Sequence, residues 1–230
     1  LFTFALTPSI FHSAPEIVGT SLFGVFLNAL SGTYAYVKQH RVYFKAAIPF
    51  AIATLPGAIL GSLVSDYFTG PTFSLSYGIF ILIISAIMYW NSSNKKAIAT
   101  NFDETLFIAR KKLGIILSMF VGFISSIFGI GGGIIHVPVM IYALAFPPHM
   151  ATATSHFVLA VSSFMGVTSH IFLNHIVWIP ALAVGFGAVI GAQIGARLSK
   201  KTKPRSIILL LCISLFLLGI RMIVESNLLF

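Results

Sequence analysis

The sequence predicts an all-α polytopic membrane protein of inverted internal repeats, with broken, re-entrant helices at glycine-rich loops. Three observations carry that prediction. Of 230 residues, 57% are hydrophobic and 8% charged, with a mean hydropathy of +0.99, whereas a soluble domain carries roughly 25% charged residues. The chain aligns with itself at one constant offset. And "FGIGGGIIHVP" (128–138) sets four glycines in five positions inside an otherwise apolar stretch.

The charges are confined. Of 14 Lys and Arg, 13 fall in three clusters, at Lys38/Arg41/Lys45, Lys95 to Lys112 and Arg197 to Arg205. Basic clusters beside apolar spans mark cytoplasmic loops, which accounts for the net charge of +9. With no basic face outside those loops, nucleic acid is excluded as a partner, and the lipid bilayer is the expected one. The single cysteine, Cys212, rules out a disulfide framework and a multi-cysteine metal site; it reads as a packing thiol.

Apolar runs of the roughly 20 residues needed to cross a bilayer lie near 17–37, 46–65, 73–90, 150–172, 176–196 and 206–224. Residues 113–146 form a longer run, interrupted by the glycines. "GTSLFGVFLNALSG" (19–32) aligns with "ATSHFVLAVSSFMG" (153–166), and "GAILGSLVS" (57–65) with "GAQIGARLS" (191–199), both at an offset of 134 without gaps. The expected division is a first repeat at 1–92, a cytoplasmic linker at 93–109 and a second repeat at 110–230. The partner of the glycine loop would fall just before residue 1, so the first repeat is expected to have begun with its own loop, in an N-terminal part ahead of Leu1. Gly57/Gly61 and Gly191/Gly195 read as small-xxx-small pairs that let helix backbones approach.

Charge arithmetic sets the directions. If 113–146 were one simple span, the five bases of 197–205 would lie opposite the other basic clusters, against the positive-inside rule. If it enters and returns, as two half-helices broken at the glycines, every cluster falls inside and the two halves point in opposite directions. Inverted repeats with discontinuous helices are a transporter architecture with a site at the breaks.

The glycines do not form a nucleotide loop. A P-loop needs Lys and Ser/Thr after its last glycine, and Ile134 and Ile135 follow Gly133; the dinucleotide fingerprint lacks its third spaced glycine and its acid. A break inside a membrane instead offers free N–H groups, with glycine allowing close approach to an anion. The five acids, Glu16, Asp66, Asp103, Glu104 and Glu225, all sit in loops or near span ends. A cation site would need one centrally, so the site favours an anion.

"GFISSIFGIGGGIIHVPVMIYALAFPPHMATATS" (122–155) resembles the glycine-rich signature of the TauE/SafE family of membrane proteins. "PEIVGTSLFGVFLNALSGTYAYVKQHRV" (15–42) resembles that family's first-half segment. The resemblance runs over nearly the whole chain. It implies a sulfite exporter, or a permease of sulfonates and related organosulfur anions.

The candidate substrate-binding residues are Gly129, Gly131, Gly132 and Gly133 of the loop, with Thr20/Ser21 and the equivalent Thr154/Ser155, whose hydroxyls can donate to sulfonyl oxygens. Asn28 lies two turns beyond Ser21. His136 follows the loop, and His156 replaces Leu22 of the first half, where a titratable imidazole can add charge or carry a proton. The competing reading is intrahelical back-bonding for the hydroxyls and hydrogen-bonded packing for Asn28 and the histidines. His149 and His175 are placed in loops. No catalytic residue, cofactor or metal ligand is expected.

The expected function is a secondary transporter, an exporter of small sulfur oxyanions in the cell (inner) membrane, working by alternating access. An anion-selective channel is the nearer rival. A membrane enzyme is the more distant one, lacking a paired acid and base or a metal constellation. With no acid deep in the spans, uncoupled export driven by the membrane potential is the expected energetics.

Overall fold

The computed structural model describes residues 14–65, 71–93, 102–128 and 132–228. Eight α-helices and one π-helical turn are found there, and no strand occurs among the described residues. They are α1 (Ala14–Lys38), α2 (Phe44–Ser65), α3 (Pro71–Ser93), α4 (Glu104–Phe128), α5 (Gly133–Pro138), α6 (Pro148–Phe172), α7 (Trp178–Lys201) and α8 (Pro204–Leu228). The π-helical turn, Val139–Ala143, continues α5 directly. Among the described residues, α6, α7, most of α8 and the Phe44–Gly61 part of α2 are long and apolar enough to span a bilayer, while the apolar part of α3, Leu75–Asn91, is shorter. This is a multi-pass membrane protein.

The 134-residue offset reappears in the helix boundaries. α1 starts at 14 and α6 at 148, and both are 25 residues long; α2 starts at 44 and α7 at 178. The connecting turns match as well. His40 and Asn174, at equivalent positions, both reverse the chain with φ of 55°. Arg41 N then donates to Tyr36 O and His175 N to His170 O, the same bond in each turn.

α1 and α6 pack antiparallel. A Cβ on Gly32 would press on the His156 ring, 2.7 Å from its Cδ2, and one on Gly166 would stand 2.6 Å from Leu22. Ala29 clusters with Leu159 and Ala160 between them. These contacts are reciprocal, since Gly32 is equivalent to Gly166 and Leu22 to His156. The aromatic pairs Phe23–Trp178 and Phe44–Phe157 are equivalent in the same crossed way, with near-perpendicular rings at 5.7 and 5.4 Å. Each half thus packs on the other through the same surface.

α4 differs from expectation. It starts at Glu104, inside the stretch expected as linker, and it is a full 25-residue helix rather than a half-helix. Its start is explained by Asp103, whose Oδ1 accepts from the N–H groups of Thr105 and Leu106 and from the Thr105 hydroxyl. Those bonds, the Thr105 hydroxyl's first, hold the Asp103 carboxyl below its ordinary value. A lowered carboxylate pKa stabilises the fold above the unfolded-state value and ceases to as pH falls through the folded one. The expected result is a thermal unfolding midpoint lower in Asp103→Ala than in the wild type at neutral pH, with the gap closing in acid.

After α4 the chain reverses, and α5 comes back along it. Ser125 lies by Gly132, Ser118 bonds His136, Gly114 meets Leu144, and Arg110 donates from Nη1 to Ala143 O at 2.9 Å. α5 and its π turn therefore end beside the start of α4. α5 and the π turn together, Gly133 to Ala143, rise about 16 Å. Phe50, Met140, Ile141, Leu144 and Phe146, all buried, fill the space between this hairpin, α2 and α6.

The basic clusters gather at one end of the bundle. Arg41 donates to Ser199 Oγ (3.0 Å), at the end of α7 beside Lys200 and Lys201, and it also contacts His149 Nδ1 (2.7 Å). Lys45 pairs with Glu104 at 2.7 Å, at the start of α4. His149, placed in a loop by the sequence, is the second residue of α6: Pro148 takes the first helical position, where its missing N–H costs nothing, and the helix begins there.

Candidate functional site: the glycine turn

Gly132 is the residue before α5 and has φ of 77°, a left-handed conformation that glycine adopts without a Cβ penalty. Its carbonyl accepts from Ile135 and His136 N–H, closing the first turn of α5. A Cβ there would stand 3.1 Å from Ser125 Oγ on α4, and one on Gly133 would stand 3.0 Å from Leu159 on α6. The turn is thus held between α4 and α6 at close range. Gly129 and Gly131 lie outside the described residues.

His136 is buried in α5. Ser118 Oγ donates to Gly114 O at 2.7 Å, which uses its one hydrogen, so His136 Nε2 at 3.2 Å donates to that oxygen. Phe50 lies alongside, with ring centroids 6.0 Å apart. His156, on α6, sits with Nδ1 3.0 Å from Thr152 O and its ring edge-on to Tyr36. Both imidazoles are held by protein partners, and the structure places them on different helices.

The two threonines have matching structural duties. Thr20 Oγ1 accepts from Val177 N at 3.0 Å, and Thr154 Oγ1 accepts from Tyr43 N at 3.1 Å. Val177 and Tyr43 are themselves equivalent residues. Each threonine clamps the start of the helix that follows the other one's helix. Ser155, buried, donates back to Thr152 O, as intrahelical back-bonding predicts. Thr20→Val and Thr154→Val are expected to lower the thermal stability in detergent by similar amounts, about 1–3 kcal/mol, because each leaves a backbone N–H unpaired.

The register of α1 on α6 decides which candidates can share a site. Thr154 lies two residues before His156, the partner of Gly32, and Thr20 lies twelve residues before Gly32. At 1.5 Å per residue the two threonines are about 20 Å apart along the bundle. Thr20/Ser21 and Thr154/Ser155 are not brought together. Asn28, half-buried, stands next to Ala29, which meets Leu159, and Gly133 also meets Leu159.

 Asn28 and the glycine turn therefore occupy one mid-height layer, with the threonine pairs above and below it.

One residue of this layer was not singled out in the sequence. Ser125 is 6% exposed, and its Oγ, buried, has no hydrogen-bond partner among the described residues. Its signal is its spacing, seven residues after Ser118 on the same face of α4 and seven before Gly132. A surface pocket of about 350 Å³ is bordered by Ala86, Ile87, Trp90 and Asn91 and includes none of the candidates.

Comparison with known proteins shows the family that the sequence resembles. The family model described as "Sulfite exporter TauE/SafE" matches residues 1–222. The chain is 34% identical over 238 residues to the probable membrane transporter protein YunE of Bacillus subtilis, covering 98% of this chain and 87% of that one. It is 29% identical over 216 residues to a probable membrane transporter protein of Methanocaldococcus jannaschii, covering 90% and 78%. No solved structure matches the chain.

Proposed function

Because this chain belongs to the TauE/SafE sulfite exporter family and is a membrane transporter, we propose that it carries small sulfur oxyanions, sulfite or organosulfonates, through the mid-height layer at the glycine turn. The observation that carries this reading is the turn itself. A left-handed Gly132 opens a short helix packed between α4 and α6, in a chain whose four described acids, Glu16, Asp103, Glu104 and Glu225, all lie at or near helix ends. A helix start leaves its first N–H groups without carbonyl partners in the helix, and these suit an anion.

Alternating access has a physical basis in the crossed contacts. α1 and α6 are equivalent, antiparallel and packed through the same surface, as in two halves inverted about an axis in the membrane plane. The hairpin of α4 and α5 is read as the re-entrant element. The end that gathers Arg41, Lys45, Arg110 and Lys200 is read as cytoplasmic, in an inner membrane with its positive residues inside.

A thermal-shift screen of the detergent-solubilised protein tests the substrate class. Sulfite or an organosulfonate is expected to raise the unfolding midpoint, as any ligand that binds the folded state does. A rise with sodium or potassium salts of every anion alike, or none with any sulfur oxyanion, would count against the class.

A further inference from the structure

We propose that Ser125 is a substrate-binding residue of this transporter, its hydroxyl donating to one oxygen of an anion seated against Gly132 and Gly133. The proposal rests on the glycine turn being the substrate site, and adds a side chain and a charge preference to it.

Ser125 departs from its neighbours in one respect. Ser118, on the same helix, returns its hydroxyl to the carbonyl four residues back, and Ser155 and Ser163 on α6 do likewise within their own helix. Ser125 makes no such bond, although it is 6% exposed and its Oγ is buried. Its hydroxyl faces the turn. The point where a Gly132 Cβ would lie is 3.1 Å from Ser125 Oγ but 3.6 Å from Ser125 Cβ. Leaving a buried hydroxyl unpaired costs about 1–3 kcal/mol, and an oxyanion at the turn would accept its hydrogen. Because Gly132 lacks a Cβ, no side-chain atom of that residue stands between its backbone and the hydroxyl.

The donors there are a hydroxyl and backbone N–H groups. The bases of α4, Arg110, Lys111 and Lys112, lie 13 to 15 residues before Ser125, about 20 Å along the helix. Desolvating an anion becomes more costly with its charge, and no full positive charge from α4 offsets it at this level. The site therefore suits a singly charged oxyanion, hydrogen sulfite or a monosulfonate, over the sulfate dianion.

The test is flux of radiolabelled sulfite in proteoliposomes, with wild type, Ser125→Ala, Ser125→Thr and Gly132→Val, each checked for its unfolding midpoint in detergent without ligand. Ser125→Ala is expected to raise KM about tenfold with kcat within twofold and with no loss of stability, and Ser125→Thr to restore KM. Methanesulfonate is expected to compete at least tenfold better than sulfate. If Ser125→Ala keeps the wild-type KM while Gly132→Val loses flux, Ser125 is not a ligand and the turn stands as the site. If Ser125→Ala lowers stability and leaves KM unchanged, its role is packing and the proposal fails. If neither variant changes flux, the turn is not the site, and the proposal falls with it.

Discussion

Gly57→Ala is expected to destabilise the protein by about 1–3 kcal/mol, while Gly191→Ala, its repeat equivalent, changes stability by less than about 0.5 kcal/mol. The reason is packing. A Cβ on Gly57 would strike the Met119 carbonyl and crowd Phe123 N, both backbone atoms of α4 that no rotamer change can move. Across the same interface a Cβ on Gly122 would strike Thr54 O. On α7, nothing among the described residues lies within 4 Å of where a Cβ on Gly187, Gly191 or Gly195 would be. The small-xxx-small reading holds at Gly57, whereas the Gly191/Gly195 pair packs on no described residue. Thermal unfolding of the two variants in the same detergent reads the difference. Equal losses would contradict this difference in packing.

This contrast also shows what a sequence alone can and cannot say. The offset of 134 pairs Gly57 with Gly191, and the same offset separates the first residues of α1 and α6. Composition sufficed for an all-helical membrane protein, since long apolar runs must satisfy their backbone within helices. Equivalence is not proximity, however. Halves that pack antiparallel send equivalent residues to opposite ends, which is why Thr20 and Thr154 are about 20 Å apart. Only residues near the middle of the α1–α6 crossing, such as Asn28, stay close to the turn. The roles of Thr20 and Thr154 as clamps on Val177 and Tyr43 were illegible because a hydroxyl's partner in a distant loop leaves no periodic mark. Ser125 was overlooked for the opposite reason: a serine in a helix back-bonds by default, and only the geometry reveals that this one does not.

Gly132→Val is expected to abolish transport while leaving the protein folded in the membrane. Valine resists a φ of 77°, at a cost of about 1–2 kcal/mol. Its Cβ would stand 3.1 Å from Ser125 Oγ, and its methyl groups would fill the approach that an anion needs. Gly132→Ala separates the two effects, sharing the backbone strain with less of the bulk, and is expected to retain part of the flux. Measured flux, with the amount of folded protein in the same vesicles, decides it.

The central claim is that this chain carries a sulfur oxyanion by way of the glycine turn, driven by the anion's own electrochemical gradient. An inside-negative potential pushes a single negative charge outward with about 2.3 kcal/mol per 100 mV. The direct measurement is efflux of radiolabelled sulfite from proteoliposomes at equal pH on both sides, with an imposed inside-negative potential, for wild type and Gly132→Val. The account predicts efflux that rises with the potential in the wild type and is lost in the variant. Wild-type flux that ignores the potential but follows a pH gradient, with that dependence removed by His156→Ala, would contradict uncoupled export. Undiminished efflux through Gly132→Val would contradict the site.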